Sequence, residues 1–276
     1  MLREWVKEAL GYDQVETALS LIDTGGREYD EWGFSPAKSK RFGVFAFNMF
    51  RYFRPDITGI ENVPSGRVLL VANHSGQLPY DALVISVTCL LKAVPPRWVR
   101  TMVERWVPTV PFINVFFSRA GAVVGDPVNC RNLLERENAI LVFPEGAKGS
   151  GKPWSKRYQL QNFGRGFMRL ALQTNTPIVP ISVVGAEESI VSVTDLQPLA
   201  RRMGVPYIPV PALLPVLGPL SMFPLPTKFY VDFGQPMRFE GPFDDEDEVI
   251  DQKVIQVKSQ IDEMMQRRLA QRDSVF

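Results

Sequence analysis

Histidine is nearly absent from this 276-residue chain, since His74 is the only one. Cysteine is almost as scarce, with Cys89 and Cys130 alone. Two cysteines and one histidine supply neither a disulfide framework nor the usual ligands of a zinc site, so we predict a reducing compartment and no bound metal. Any acid–base chemistry that an imidazole performs near neutral pH must use His74.

The chain also lacks a large net charge and long apolar runs. Its 31 basic and 30 acidic residues leave a formal charge of +1, which gives no reason to expect a nucleic-acid partner. No stretch has the roughly 18 uninterrupted apolar residues of a membrane-spanning helix, and the first residues lack the apolar core of a signal peptide. With 45% hydrophobic and 22% charged residues, the composition is that of a globular protein.

What the sequence does contain is a short apolar run that stops abruptly at polar residues. Val68–Ala72 has the pattern of a buried strand in a parallel sheet, and His74 lies just beyond its end, where ligands bind in open α/β sheets. A helical apolar pattern begins near Asp81. A carboxylate can hold an imidazole so that it takes a proton from a hydroxyl, which makes Asp81 the candidate partner of His74. In the alternative interpretation Asp81 only caps the helix, and His74 is a buried structural residue.

A second strand, Ala139–Phe143, runs into Pro144-Glu145-Gly146 and a glycine-rich loop. The two motifs together, Asn73-His74 with Asp81 and then Phe143-Pro-Glu-Gly146, resemble those of the glycerolipid (lysophospholipid) acyltransferase family. The similarity extends from about Ile60 to about Arg238. It implies transfer of an acyl group from coenzyme A or acyl carrier protein to a hydroxyl of a glycerol-based acceptor, with His74 and Asp81 as the catalytic pair.

The spacing between the two catalytic candidates departs from the family. Six residues separate His74 from Asp81, two more than usual. The wider loop is similar to a branch that includes enzymes acting on neutral mono- and diacylglycerols, so the acceptor stays open. Gly76 and Pro79 would allow the loop to fold His74 back to Asp81.

The resemblance also implies substrate-binding residues. Arg119 occupies the place of a basic residue that contacts a phosphate of the acceptor or the donor, with a surface salt bridge as the alternative. Glu145 is expected to hydrogen-bond an acceptor hydroxyl, and Lys148 stands where relatives carry a basic residue. Backbone N–H groups at Gly146 and Gly149 would receive a phosphate or a developing oxyanion. No cofactor is expected besides the acyl thioester as co-substrate.

Three other functions fit parts of the pattern. Gly146–Lys152 has the two glycines and the lysine of a nucleotide-binding P-loop, but Pro153 replaces the hydroxyl residue that holds Mg²⁺. A lipid esterase would share the His–Asp pair, yet it needs a nucleophile, no Gly-x-Ser-x-Gly occurs, and Ser75 is poorly placed to be one. A non-catalytic lipid-binding protein on the same fold is the third.

The element pattern predicts an α/β fold, a mainly parallel central sheet flanked by helices. We assign 1–54 to an N-terminal helical segment, 55–240 to the acyltransferase domain and 241–276 to a C-terminal helix that packs on it. Helix 36–54 has basic ends and many aromatic residues, so it either packs on the domain or lies on a membrane. Residues 203–227 have no charge and seven prolines, so they either wrap the core or dip into the membrane interface.

These patterns and the resemblance together predict the partners and the location of the protein. The expected partners are an acyl thioester donor, a lipid acceptor and a membrane surface. We therefore expect a cytoplasmic protein that is peripheral on the membrane.

Overall fold

The helices and strands alternate along most of the chain, as an α/β fold requires. The computed structural model describes residues 2–22, 24–109 and 113–276. The helices are α1 (Leu2–Ala9), α2 (Tyr12–Ser20), α3 (Pro36–Phe53), α4 (Tyr80–Lys92), α5 (Ile113–Arg119), α6 (Pro127–Glu135), α7 (Ala147–Ser150), α8 (Gly166–Thr174), α9 (Ala186–Ser189), α10 (Gln197–Met203), α11 (Leu214–Leu217) and α12 (Asp247–Gln271). The strands are β1 (Asp56–Thr58), β2 (Val68–Ala72), β3 (Val99–Val103), β4 (Val123–Val124), β5 (Ala139–Val142), β6 (Ile178–Val184), β7 (Ser192–Asp195), β8 (Pro209–Pro211) and β9 (Tyr230–Phe233).

The central sheet has seven strands in the order β1-β9-β6-β2-β5-β3-β4. Neighbouring strands in it are parallel, except that β6 and β9 are antiparallel. A separate antiparallel ribbon is formed by β7 and β8. The predicted fold, α/β with a mainly parallel sheet and flanking helices, is therefore confirmed.

Strand β2 lies in the middle of the sheet, and its side chains enter two different cores. Leu70 and Ala72 pack on one face with residues of α3 and α4, such as Ile85. Leu69 and Val71 pack on the other face with α6, α8 and α12. All five residues of the strand are buried, which explains why the strand is apolar without alternation.

The long helices at the two ends of the chain follow their sequence signals. Helix α3 begins at Pro36, and the Ser35 side chain accepts a hydrogen bond from the Lys38 amide at 3.4 Å. Helix α12 packs on the sheet through apolar side chains that are all buried, namely Ile250, Val254, Val257, Ile261 and Met264. Both helices therefore pack on the sheet core, while the domain boundaries at 54 and 240 stay predictions.

Three element boundaries have local structural causes. Helix α6 begins at Pro127 because the Asp126 side chain caps it, accepting from the Val128 amide at 2.9 Å. Helix α8 begins only at Gly166, since the Gly164 amide donates to the Pro144 carbonyl instead. The edge strand β1 ends at Thr58, because the chain turns at Gly59, where φ is 73°.

The proline-rich stretch 203–227 contains no long regular helix. It forms β8, the four-residue α11 and a 3₁₀ turn at Gly218–Met222. Across the described ranges, no helix is both long and apolar enough to cross a bilayer.

Candidate active site

The two motifs found in the sequence meet because β2 and β5 are parallel neighbours. The carboxyl ends of parallel strands lie at the same edge of a sheet, so the loop after β2 and the loop after β5 face each other there. Asn73 extends β2 by one further contact, since its side-chain amide exchanges two hydrogen bonds with the backbone of Val183 in β6, at 2.7 and 3.0 Å. His74 follows directly and begins the loop.

His74 and Asp81 are in contact. The distance from His74 Nδ1 to Asp81 Oδ2 is 2.8 Å. Asp81 is fully buried, and its carboxylate also accepts from the amides of Ser75 at 2.9 Å and Ala82 at 2.7 Å. Because Asp81 occupies Nδ1, the other ring nitrogen, Nε2, is left for chemistry. The six-residue loop thus brings the pair together despite its length.

Asp81 does not act as the simple helix cap of the alternative interpretation. It lies inside the first turn of α4, and Pro79 occupies the capping position. Gly76, with φ of 81°, makes the reversal that returns the chain toward Asp81. The imidazole of His74 is also stacked on the ring of Phe143, with ring centroids 4.2 Å apart.

Glu145 fastens the two loops to each other. One carboxylate oxygen accepts from the His74 amide at 2.9 Å, and the other accepts from the Gln161 amide at 2.7 Å. The side chain is fully buried. Gly149 packs so closely behind it that an added Cβ would lie 2.7 Å from Glu145 Cβ and 2.9 Å from His74 Cβ. Both oxygens therefore already have backbone partners, and contact with an acceptor hydroxyl stays a prediction.

A buried lysine, which the sequence did not indicate as part of the site, completes this arrangement. Lys152 Nζ lies 2.8 Å from Glu187 Oε1 and 3.7 Å from Glu145 Oε2. Burial raises the pKa of the Glu187 carboxyl, an effect that Lys152 opposes and that Glu145 reinforces. Glu187 follows β6, the other neighbour of β2. We name Glu145, Lys152 and Glu187 the buried charge cluster.

The cluster also bears on the nucleotide-loop alternative. The ammonium of Lys152 is buried between carboxylates, and α7 ends before Gly151 instead of beginning there. A P-loop lysine needs a free ammonium above a helix N-terminus. That interpretation is therefore wrong for this loop.

The remaining predicted binding residues lie differently. Gly146 contributes to the wall of the cavity described below, but its amide donates to the Phe143 carbonyl at 2.9 Å, and the Gly149 amide donates to Gly146 at 2.9 Å. Neither amide is thus free for an oxyanion in this geometry, contrary to expectation. Lys148 and Arg119 are exposed and are not among the described residues that line the cavity. Their roles toward substrate stay predictions.

An apolar cavity of about 630 Å³ opens beside His74. Its walls come mainly from α3, α4 and β3, and His74, Gln77, Gly146, Ser150 and Tyr207 form its more polar end. Three aromatic residues of α3 line it, namely Phe42, Phe45 and Phe47. Helix α3 also packs on α2 and α4. The aromatic residues that suggested a membrane-lying helix thus contribute to a cavity wall.

Two further residues near the site could not be recognised from the motifs. Glu104, just after β3, accepts from the Ala147 amide at 2.8 Å and so holds the start of α7. Tyr207, from the proline-rich stretch, donates its hydroxyl to the Gln77 carbonyl at 2.9 Å. The position of Glu104 directly after a strand was the available signal, whereas Tyr207 had none.

The described residues offer few groups for a serine nucleophile or for metal-dependent catalysis. The Ser75 hydroxyl is fully buried and has no hydrogen-bond partner among the described residues, so it is no accessible nucleophile. In the described part of the chain, no three His, Cys, Asp or Glu side chains are grouped so that they could hold a metal ion.

Comparison with known sequences identifies relatives along most of the chain. The sequence model of the acyltransferase family matches residues 54–184. An uncharacterised protein of Mycobacterium leprae is 39% identical over 262 residues, covering 92% of this chain and 71% of the relative. The chloroplastic 1-acyl-sn-glycerol-3-phosphate acyltransferase BAT2 of Brassica napus is 26% identical over 152 residues, covering 51% of this chain and 40% of that protein.

Comparison with solved structures identifies the same fold. The crystal structure of the 1-acyl-sn-glycerophosphate (LPA) acyltransferase PlsC from Thermotoga maritima is similar with a TM-score of 0.54 at 15% identity, covering 98% of this chain and 94% of that chain. The family match includes both the His74 loop and the Pro144-Glu145-Gly146 corner. The chain belongs to the acyltransferase family and is an acyltransferase.

Proposed function

We propose that the protein transfers a fatty acyl group from a thioester donor, acyl-coenzyme A or acyl carrier protein, to a hydroxyl of a glycerolipid or lysophospholipid. The observation that carries this proposal is the 2.8 Å contact between His74 and Asp81 at the polar end of an apolar cavity. An imidazole held in this way is a general base, and the cavity offers apolar surface for a fatty acyl chain. The proposed acyl-chain site is this cavity.

In the proposed mechanism His74 removes one proton from the acceptor and later returns it to the leaving thiolate. Asp81 accepts a hydrogen bond from the Nδ1–H of His74, which leaves the Nε2 lone pair to remove the proton of the acceptor hydroxyl. The oxygen attacks the thioester carbonyl, and the tetrahedral intermediate breaks its carbon–sulfur bond. The thiolate leaves and takes the proton from Nε2. The products are an ester and a free thiol, and no acyl group is attached to the protein.

Two observations bear on the class of acceptor, namely the names of the relatives and the length of the His74–Asp81 loop. The relatives from Brassica napus and Mycoplasma pneumoniae and the Thermotoga maritima structure are named as acyltransferases of 1-acylglycerol 3-phosphate. This favours an acceptor with a phosphate, for which Arg119 and Lys148 are the proposed contacts. The wide His74–Asp81 loop is the feature that favours a neutral glyceride instead. A panel of lysophosphatidate, lysophospholipids, monoacylglycerol and diacylglycerol, each paired with both donors, separates these acceptors.

The proposed place of action is the cytoplasmic surface of a membrane, to which the protein binds peripherally. Lipid acceptors with long chains reside in the bilayer, so the enzyme must collect them from there. No part of the proposed mechanism needs a cofactor beyond the acyl donor.

The proposal is tested by replacing the single histidine. General-base catalysis contributes about 10²–10⁴ in rate, so His74→Ala should lower kcat by roughly that factor. The ring is partly exposed and packs mainly on Phe143, so the thermal unfolding midpoint should change little. Product formation is followed by mass spectrometry of the ester, and release of the free thiol is measured in parallel. A variant that retains full transfer with every active donor and acceptor pair contradicts the mechanism.

A further inference from the structure

The proline-rich stretch presents a row of apolar side chains to solvent. Residues 213–223, which we name the apolar turn, include α11 and the 3₁₀ turn after it. Val216 is 80% exposed, Leu220 is 73% exposed and Phe223 is 61% exposed. Leu213, Leu214 and Leu217 are exposed as well. Soluble proteins rarely leave so many large apolar side chains together in water unless something covers them.

The apolar turn is held in this position at both of its ends. The Ala212 amide donates to the Val191 carbonyl at 2.8 Å, and the Leu225 amide donates to the Ser189 carbonyl at 2.7 Å. The Tyr52 hydroxyl of α3 donates to the Pro224 carbonyl at 2.8 Å, and the Tyr52 ring lies edge-on to Phe223. The exposure is therefore built into the fold.

The apolar turn carries no charged side chain, and the charged residues that flank it most closely in sequence are basic. Residues 203–227 carry no charged side chain, and no acidic residue occurs between Asp195 and Asp232. The exposed Arg54 donates to the Pro226 carbonyl at the base of the turn, and no ion pair of Arg54 is found among the described residues. Arg201 and Arg202, on the preceding helix, are also exposed. An apolar surface with exposed arginines beside it suits a surface of acyl chains beneath anionic headgroups.

We propose that the apolar turn is the surface by which the enzyme docks on an anionic lipid bilayer, with Val216, Leu220 and Phe223 entering the acyl boundary. The inference rests on the proposed function, because it gives the cavity its supply of lipid. The same stretch of chain reaches the active site through Tyr207, which lines the cavity and binds the His74 loop. A tyrosine and an arginine at the base of the turn are side chains that favour the headgroup region.

Docking is tested with vesicles and the full-length chain. The probes are vesicles of phosphatidylcholine with phosphatidylglycerol, and vesicles of phosphatidylcholine alone, sedimented with the protein. Val216→Glu combined with Leu220→Glu should weaken binding to the anionic vesicles by at least roughly tenfold, since two apolar side chains that enter the bilayer in this proposal are replaced by charged ones. Ile255→Glu, at a site 58% exposed on α12 away from the turn, is the matched control and should bind as the unaltered protein does.

The charge part of the inference has its own variant. Arg54→Gln should weaken binding to the anionic vesicles by about fivefold, which corresponds to the roughly 1 kcal/mol of one cation near an anionic surface, and should leave binding to phosphatidylcholine unchanged. Equal binding of the unaltered protein to both vesicle types would overturn the choice of an anionic surface.

Activity separates a failure of docking from a failure of the proposed chemistry. With acceptor embedded in anionic vesicles, the Val216→Glu/Leu220→Glu variant should lose transfer, whereas with acceptor in detergent micelles it should match the unaltered protein. Absence of transfer in both proteins and both assays would refute the proposed function and leave the binding result to stand alone. If the double variant binds vesicles normally, the docking proposal is wrong. It is also wrong if the unaltered protein is a dimer without lipid and the double variant is a monomer, because a second copy then covers the turn.

Discussion

The two faces of the central sheet are built from the same strands but are filled differently. On one face, Leu69, Val71 and Ile140 meet α6, α8 and α12 in a continuous core. On the other face, α3 and α4 pack over Leu70 and Ala72. The same two helices also line the cavity of about 630 Å³. We name these the filled face and the hollow face.

The difference indicates that one face of the sheet supplies packing stability, whereas the other face keeps space for the proposed acyl chain. Interiors are packed at crystal-like density, so a void of this size lacks the contacts that its lining would otherwise make. The filled face can supply those contacts, while the hollow face leaves space beside His74. Side chains at the carboxyl edge of the sheet contribute both to stability and to the shape of the cavity, because they hold the loops that close it.

The largest effect is expected at the proposed catalytic pair, His74 and Asp81, beside the hollow face. In Asp81→Asn one end of the side chain becomes a donor, which must oppose either the Ala82 amide or the His74 and Ser75 donors. If it faces His74, the ring must carry its proton on Nε2 and can no longer act as a base. We expect kcat to fall by about 10²–10⁴. Conflict at the Ala82 amide alone would cost about 1–3 kcal/mol of stability and spare kcat. Steady-state kinetics beside denaturant melts distinguish the two outcomes.

Substitutions in the buried charge cluster are expected to lower stability and activity together. Lys152→Met removes the cation and leaves two buried carboxylates unpaired, which should cost about 3–5 kcal/mol of unfolding free energy. Because Glu145 holds the His74 amide, kcat should fall while KM stays similar. Adding Glu187→Gln to this variant should restore part of the stability. Urea unfolding and kinetics measure both, and a rise in KM at constant kcat would instead make the cluster part of substrate binding.

A pair of matched leucines compares the two faces directly. Leu133, on α6 of the filled face, is fully buried, whereas Leu90, on α4, is also buried but borders the cavity. Leu133→Ala should cost about 2–5 kcal/mol, and Leu90→Ala should cost less because one side of Leu90 already lacks contacts. Leu90→Ala should also shift the preferred acyl chain toward greater length. Equal losses of stability in the two variants would contradict the distinction between the faces.

The smallest effect is expected at the two cysteines, one on each face. Burial raises the pKa of Cys89 in α4 to about 12 and that of Cys130 in α6 to about 11. Both thiols therefore stay protonated near neutral pH, and neither should be alkylated in the native protein. Mass spectrometry after iodoacetamide should show two modifications only when the protein is unfolded. Rapid native labelling of Cys130 would show that the filled face opens.

The contact between His74 and Asp81 and the central strands could be predicted from sequence because their signals are local. An apolar run followed by a polar loop identifies β2 with His74, and likewise β5 with Glu145. The meeting of the two loops follows once both strands are placed in one parallel sheet. The partner of His74 was also within reach, since Asp81 follows it closely.

The rest of the site depends on distances that no local pattern contains. Lys152 meets Glu187 only because β6 lies beside β2, and its glycine-rich surroundings suggested a nucleotide loop instead. The aromatic residues of α3 fit burial, a bilayer or a cavity wall equally well in sequence. Whether the space between α3 and α4 is filled depends on how far apart the helices pack, and a helical pattern does not specify that distance.

The Asn73 side chain continues the pairing of β2 with β6 one residue beyond the end of β2. Its paired hydrogen bonds with Val183 tie the residue before His74 to the most central part of the molecule. The backbone next to His74, the proposed base, is therefore fixed in position, and we expect it not to shift between substrates of different shape. Selectivity among acceptors is then expected to depend on the side chains of α4 and Tyr207 that line the cavity, which makes that wall the first place to search for altered selectivity.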